Sequence, residues 1–125
     1  MKRYCFLAAL SLLTAFISGC AKPDKVITIK SPTDGMFYTV ETFNGSGPVD
    51  PDFTRVYAHL EHSGKSDKKL VMDGGYLDIS QITWVGSHYV TLCMKSGVTN
   101  SFRSEVTLIS GDTSETIHNH LQEHC

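Results

Sequence analysis

The sequence lacks any apolar run long enough to cross a bilayer, and it lacks the short motifs of common catalytic sites. A transmembrane helix needs about 20 apolar residues, and the longest such stretch, residues 6–17, is shorter. A Gly-x-Ser-x-Gly elbow, a phosphate-binding loop, a dinucleotide fingerprint and a His-Glu-x-x-His pair are all absent from the sequence. We therefore do not expect an enzyme, and no cofactor is implied.

Positive charge is also scarce. Eleven Lys and Arg stand against thirteen Asp and Glu, which gives a formal net charge of −2 at pH 7. Proteins that bind nucleic acid present a basic patch to the phosphates, so we do not expect a nucleic-acid partner. The acidic residues are scattered along the chain, which favours solubility over attraction of one cationic partner.

The first twenty residues have the layout of an export signal. Lys2 and Arg3 precede the apolar stretch Phe6–Ile17, and a short apolar run after positive charge is typical of a secretory signal peptide. The stretch ends in Ile17-Ser18-Gly19-Cys20, which resembles the lipobox of bacterial lipoproteins. In that family the signal is cut before the cysteine, whose thiol carries diacylglycerol and whose new amine is usually acylated as well.

The resemblance implies a mature chain that begins at Cys20 and is held to a membrane by lipid, because two or more acyl chains anchor stably. The next residues are Ala21 and Lys22. The lack of an Asp there resembles lipoproteins sorted to the outer membrane of enteric-type bacteria, facing the periplasm. The outer face of a Gram-positive cytoplasmic membrane is the open alternative.

We expect residues 1–19 to be removed, residues 20–25 to form a tether, and residues 26–125 to form one β-rich domain. Without Lys2 and Arg3, nine basic residues remain against thirteen acidic ones.

The expected cleavage and lipidation determine which cysteines remain to form a disulfide. Cys5 leaves with the signal and Cys20 is lipidated, so Cys93 and Cys125 remain. Two cysteines left in an oxidising compartment usually join, and we expect a disulfide that restricts the unfolded chain by roughly 3.5–4 kcal/mol in the chain-entropy treatment. A metal thiolate at Cys125, or two unpaired thiols, are the alternatives.

From Val26 onward, runs of β-branched and aromatic residues alternate with turn formers at the roughly 8–12-residue spacing of antiparallel β-proteins. Alternation along residues 54–61 places Val56, Ala58 and Leu60 on one face, and Tyr57 and His59 with Arg55 and Glu61 on the other. We expect a mainly-β fold, either a single antiparallel meander or a small sandwich. Its predicted strands are Val26–Lys30, Met36–Phe43, Thr54–Glu61, Lys69–Met72, Tyr76–Ile79, Ile82–Val85, Tyr89–Met94 and Phe102–Ile109.

The tail has a different pattern. Asp112 and Glu115 are spaced like a capping box, and Ile117, Leu121 and Cys125 follow at helical spacing. We expect a short C-terminal helix, and a last strand with Ile117 and Leu121 on one face is the open alternative.

Two short segments bear on function. Ser31-Pro32-Thr33-Asp34-Gly35 resembles the Ser-Pro-Asp-Gly opening of small envelope β-domains. Gly97-Val98-Thr99 resembles a Gly-Ala-Thr-Thr segment of little-studied bacterial domains, immunity proteins among them. The small size, the acidic balance and the lack of a catalytic constellation favour an interaction domain that binds an envelope protein, and an inhibitor or immunity protein is its specific form.

We expect the partner contacts in two polar loops, Asn44–Asp52 and Lys95–Asn100, because loops on a rigid scaffold tend to carry function. The candidate residues in these loops are Asn44, Asp50, Asp52, Lys95 and Asn100.

A metal-binding lipoprotein is the alternative, with His118, His120 and His124 as ligands. A helix would pair His120 with His124, and a strand would pair His118 with His120. Either pairing supplies two ligands, whereas zinc sites use three or four.

Overall fold

The computed structural model describes residues 22–45 and 52–125, apart from the side chains of Tyr76 and Ser80. The predicted signal peptide, Cys20 and Asp50 lie outside the described residues. The prediction of a mainly-β fold is confirmed. The described strands are β1 (Lys25–Lys30), β2 (Met36–Phe43), β3 (Phe53–His62), β4 (Lys65–Trp84), β5 (Tyr89–Phe102), β6 (Glu105–Ser110) and β7 (Thr113–Glu123). Within the described ranges, no helix has the length and apolarity that crossing a membrane requires.

The seven strands form one sheet in the order β1-β2-β3-β4-β5-β7-β6. Each of the first four strands pairs antiparallel with the strand that follows it, as expected. However, β7 lies between β5 and β6 and runs parallel to β5, from the pair Tyr89–His118 to the pair Met94–Glu123. The expectation of an entirely antiparallel sheet is therefore wrong, because the β6–β7 hairpin returns as a unit and places its second strand beside β5.

Strand β4 replaces the three short strands and the turn that we expected between residues 69 and 85. It runs for 20 residues, and its register shifts once against β3 and four times against β5. Asp73-Gly74-Gly75, which separates two of the predicted strands and would form a turn between them, lies inside β4. A Cβ at Gly74 would lie only 2.0 Å from the backbone oxygen of Val98. Glycine here permits the close approach of β5 rather than a reversal of the chain.

The bulges let the sheet curve back on itself. The first half of β4 pairs with β3, and its second half pairs with β5. Strand β4 therefore belongs to both halves of the sheet, of which one contains β1 to β3 and the other contains β5, β7 and β6. Strand β6 closes against the start of β4, where the Ser110 hydroxyl donates to the Lys65 carbonyl at 2.8 Å and the Ile109 amide donates to the Asp67 carboxylate at 2.8 Å. The two halves therefore face one another across a shared core.

The core contains the residues that alternation predicted, including Val56, Ala58 and Leu60 of β3. Its centre holds one polar link, in which the buried Tyr38 hydroxyl donates to the Asn119 side-chain oxygen. The Trp84 ring packs edge-on against Tyr38 at 5.3 Å between centroids. The remaining buried apolar residues are Met36, Val40, Val71, Met72, Ile82, Val90, Leu92, Met94, Val106, Leu108 and Ile117.

The expected C-terminal helix is wrong, and the open alternative is correct. Residues 113–123 form β7, because Ile117 and Asn119 are both buried on the inner face while His118 between them points outward. Only a period of two places these side chains on the core side. Asp112 follows Gly111 in the β6–β7 turn instead of capping a helix.

The predicted disulfide between Cys93 and Cys125 is present, with the two Cα atoms 5.9 Å apart. After β7 the chain turns at His124, whose φ of 59° is left-handed and whose amide donates to the Met94 carbonyl at 2.9 Å. This turn brings Cys125 back beside β5. The disulfide therefore ties the end of β7 to the strand with which β7 pairs.

Candidate binding surface

Aromatic side chains cover the outer face of β2 and β3. Directly opposed residues of antiparallel strands share a face, and the register opposes Phe37 to His59 and Phe43 to Phe53. We call this face, with three charged neighbours, the outer aromatic surface. It consists of Phe37, Glu41, Phe43, Phe53, Arg55, Tyr57, His59 and Lys68.

Arg55 lies between two aromatic rings at one end of this surface. Its guanidinium carbon is 5.3 Å from the centroid of the Phe43 ring and 5.4 Å from that of Phe53. The side chain is exposed, and no carboxylate of the described residues forms an ion pair with it. The rings hold the guanidinium in place by cation–π contact while its N–H donors stay open to a partner.

The other end of the surface is internally paired. The Lys68 ammonium lies 4.0 Å from the centroid of the Tyr57 ring and 3.2 Å from a carboxylate oxygen of Glu41. The His59 ring stacks on Phe37 at 4.5 Å between centroids and an interplanar angle of 7°. These contacts fix the side chains in one arrangement before any partner arrives.

The surroundings of His59 in this surface lower its pKa. Its Nε2 atom is hydrogen-bonded to the Thr39 hydroxyl at 2.7 Å. Burial lowers the pKa of the imidazole, and the positive charge of Lys68 lowers it further, against the smaller opposing effect of Glu41 and Glu61. His59 is therefore mainly neutral at pH 7 and packs as an uncharged ring.

The predicted contact residues Asn44 and Asp52 border the outer aromatic surface. The Asn44 amide donates to the Asp24 carboxylate at 2.7 Å, and the Gly45 amide donates to the Asp52 carboxylate at 2.8 Å. These bonds hold the two ends of the 44–52 segment next to the end of the surface that carries Arg55. The third candidate of this loop, Asp50, lies outside the described residues.

The other two candidates, Lys95 and Asn100, lie in β5 and not in a loop, so the predicted loop Lys95–Asn100 is wrong. Both side chains are exposed. The register relates Phe53 to Gly75 and Gly75 to Val98, which places this part of β5 at the same end of the sheet as the 44–52 segment. The start of β3 and this part of β5 are thus separated by β4 alone.

The tail histidines are not gathered into one site. His118 and His120 lie on the outer face of β7, whereas His124 lies beyond its end. The Nδ1 atom of His118 is 3.4 Å from a Glu105 carboxylate oxygen, and its ring stacks on Tyr89 at 5.0 Å. Among residues 22–45 and 52–125, no three His, Cys, Asp or Glu side chains are arranged to hold a metal ion.

Alternation in the sequence predicted three of the eight residues of the outer aromatic surface. It placed Arg55, Tyr57 and His59 on one face of β3, as the structure does. It overlooked Phe37 and Phe43, although β2 was predicted with correct bounds. The same alternation applied to β2 would have found both phenylalanines on the face that pairs with His59 and Phe53.

Comparison with known protein families, with curated proteins and with solved structures finds no match to this chain.

Protonation of His59 is expected to weaken the fold. In the unfolded chain the pKa of His59 returns to about 6.5. Between that value and the lowered pKa of the folded state, the unfolded chain binds more protons than the folded chain. The free energy of unfolding therefore falls as the pH drops through this window. Urea unfolding at pH of about 7.5 and about 5.5 measures this. His59→Gln should flatten the pH dependence, whereas the exposed control His120→Gln should follow the wild type. Equal pH dependence in all three proteins would contradict the assignment.

Proposed function

We propose that this chain is a lipid-anchored lipoprotein of the bacterial envelope, at the outer membrane facing the periplasm, whose β domain binds an envelope protein through the outer aromatic surface. The observation that carries the binding function is the exposed Arg55 guanidinium held between Phe43 and Phe53.

Aromatic residues and arginine are the side chains most enriched at protein interfaces and at their energetic hot spots. They supply large contact areas, and a guanidinium can bind a carboxylate through two parallel hydrogen bonds. The side chains around Arg55 are set in advance by ring contacts, which lowers the ordering cost of association. A partner that presents a carboxylate flanked by apolar groups fits this arrangement.

An inhibitor or immunity protein is the specific form of this function. Such proteins need a small rigid domain with one preorganised surface and no chemistry of their own. The excess of acidic over basic residues suits a partner with a basic site around an apolar patch, since complementary charge accelerates association.

The anchor is tested by the mass of the N-terminal peptide of the membrane product. We expect the wild-type chain to begin with an acylated Cys20 and to enter the detergent phase on partitioning. Cys20→Ala should be neither acylated nor cut at this position. Cys5→Ala is the matched control and should behave as wild type, because Cys5 belongs to the removed signal. An unprocessed wild-type product with Met1 would contradict the anchor.

The binding surface is tested by affinity capture of the full-length tagged protein from its own envelope. We expect wild type and Arg103→Ala to retain one stoichiometric envelope protein. Arg55→Ala should retain at least tenfold less, because removal of a hot-spot side chain costs about 2 kcal/mol or more, which corresponds to roughly 30-fold in affinity.

Arg103 is the matched control because its side chain is also exposed and takes no part in the ring and ion-pair contacts of the outer aromatic surface. Thermal unfolding must first show that both variants are folded. If no stoichiometric protein is retained, or if Arg55→Ala retains as much as wild type, the proposed surface is wrong.

A further inference from the structure

Among the residues that the structure describes, β1 is a free edge of the sheet, whereas β6 at the other edge packs against other strands. In the strand order β1 has one neighbour, β2. The edge of β6 receives the Asp67 carboxylate at the amide of Ile109 and packs against β3 and the start of β4. On β1, Val26 is 51% exposed and Ile27 is 44% exposed. An exposed apolar edge invites pairing with a further strand.

The ladder determines which backbone groups of β1 face outward. The Thr42 carbonyl accepts from the Asp24 amide at 2.8 Å, and the Met36 carbonyl accepts from the Ser31 amide at 3.0 Å. Even-numbered carbonyls of β2 therefore point toward β1, so odd-numbered residues of β1 form the hydrogen-bonded pairs with β2. The amides and carbonyls of Val26, Thr28 and Lys30 are then directed to the free edge.

We propose that this edge pairs with the same edge of a second copy of the chain, antiparallel and centred on Thr28. The two Thr28 residues then oppose each other, and Val26 opposes Lys30 of the second copy. All of these residues offer the outward backbone groups that an antiparallel pair requires. Both copies keep their inner faces on the same side, because residues of equal parity are paired.

The side chains complement each other in this register. Ile27 opposes Ile29 of the second copy on the inner face, in the non-hydrogen-bonded position where side chains approach closest. Lys30 lies diagonal to Asp24 of the second copy, within reach of a long side chain, and two such opposite-charge pairs form by symmetry. Lys25 opposes Ser31, so no two lysines oppose each other.

The pairing closes on itself. It uses the β1 edge of both copies, and the twofold symmetry leaves neither β1 edge open, so a dimer forms rather than a fibre. Pro23 and Pro32 flank β1 and limit the ladder, since proline cannot donate a hydrogen bond.

Anchoring of both copies in one membrane raises their effective concentration, a step that rests on the proposed lipid anchor. The two outer aromatic surfaces then lie on the same side of one continuous sheet.

Cysteine cross-linking of the full-length protein in its membrane tests the register. Opposed residues of a hydrogen-bonded pair have Cα atoms about 5.5 Å apart, within the reach of a disulfide. With a mild oxidant, Thr28→Cys should give at least ten times more covalent dimer than Val26→Cys or Lys30→Cys alone, whose symmetry mates lie roughly 13 Å apart. A mixture of Val26→Cys and Lys30→Cys should again form the dimer.

Adding Val26→Pro to Thr28→Cys should abolish the dimer while the fold is kept, because the lost amide points outward. The proposal is overturned if folded Thr28→Cys gives no dimer, if all positions cross-link equally, or if Thr28→Cys links to a different protein. The unsubstituted chain is the control for the lipid anchor. If Cys20 were not lipidated, its free thiol would give covalent dimers without any introduced cysteine, and such dimers would indicate failure of the anchor instead of failure of the β1 pairing.

Discussion

The hydrogen bond between Tyr38 and Asn119 joins β2 and β7, which are not neighbours in the sheet. The curved architecture depends on this contact between the two strands. Tyr38 lies on the inner face of β2 and Asn119 on the inner face of β7, with three strands between them in the sheet order. They touch because the sheet curves back across its own core. A buried hydroxyl or amide without a partner is costly. Each residue therefore needs the other, and burial raises the pKa of Tyr38, which keeps the hydroxyl a donor. The Asn119 side-chain amide also donates to the Arg103 carbonyl at 3.1 Å.

This curvature determines how the two proposed binding surfaces, the outer aromatic surface and the edge of β1, are presented. With the inner faces turned together, the outer face of β2 and β3 is left with its aromatic rings toward solvent on a rigid support. The same folding brings β6 against β3 and the start of β4, and within the described part of the chain it leaves β1 with β2 as its neighbour. One surface is rich in side chains suited to a partner protein, and the other is a backbone ladder suited to an identical strand. They use different atoms, so both can be occupied at once.

Much of the fold was predictable because alternation is a local signal. The face assignment of β3 and the exact bounds of β2 follow from it, and the pairing of Cys93 with Cys125 follows from the lipobox resemblance. The errors have non-local causes. Gly74 resembles a turn residue until the Val98 carbonyl is known to approach it, and the β7 segment has a helical spacing that is overridden by Asn119 and its partner in β2. The parallel pairing of β5 with β7 depends on how a hairpin docks, which no local pattern encodes.

The coupling free energy between Tyr38 and Asn119, measured by urea unfolding in a double-mutant cycle of Tyr38→Phe and Asn119→Ala, tests this architecture most directly. Side chains in contact show coupling of about 0.5–3 kcal/mol, whereas residues more than about 7–10 Å apart are additive within roughly 0.5 kcal/mol. We predict coupling of at least about 1 kcal/mol for this pair, and additivity for Tyr38→Phe with the exposed control Asn100→Ala. Additive effects of Tyr38→Phe and Asn119→Ala would show that β2 and β7 do not meet, and would contradict the account.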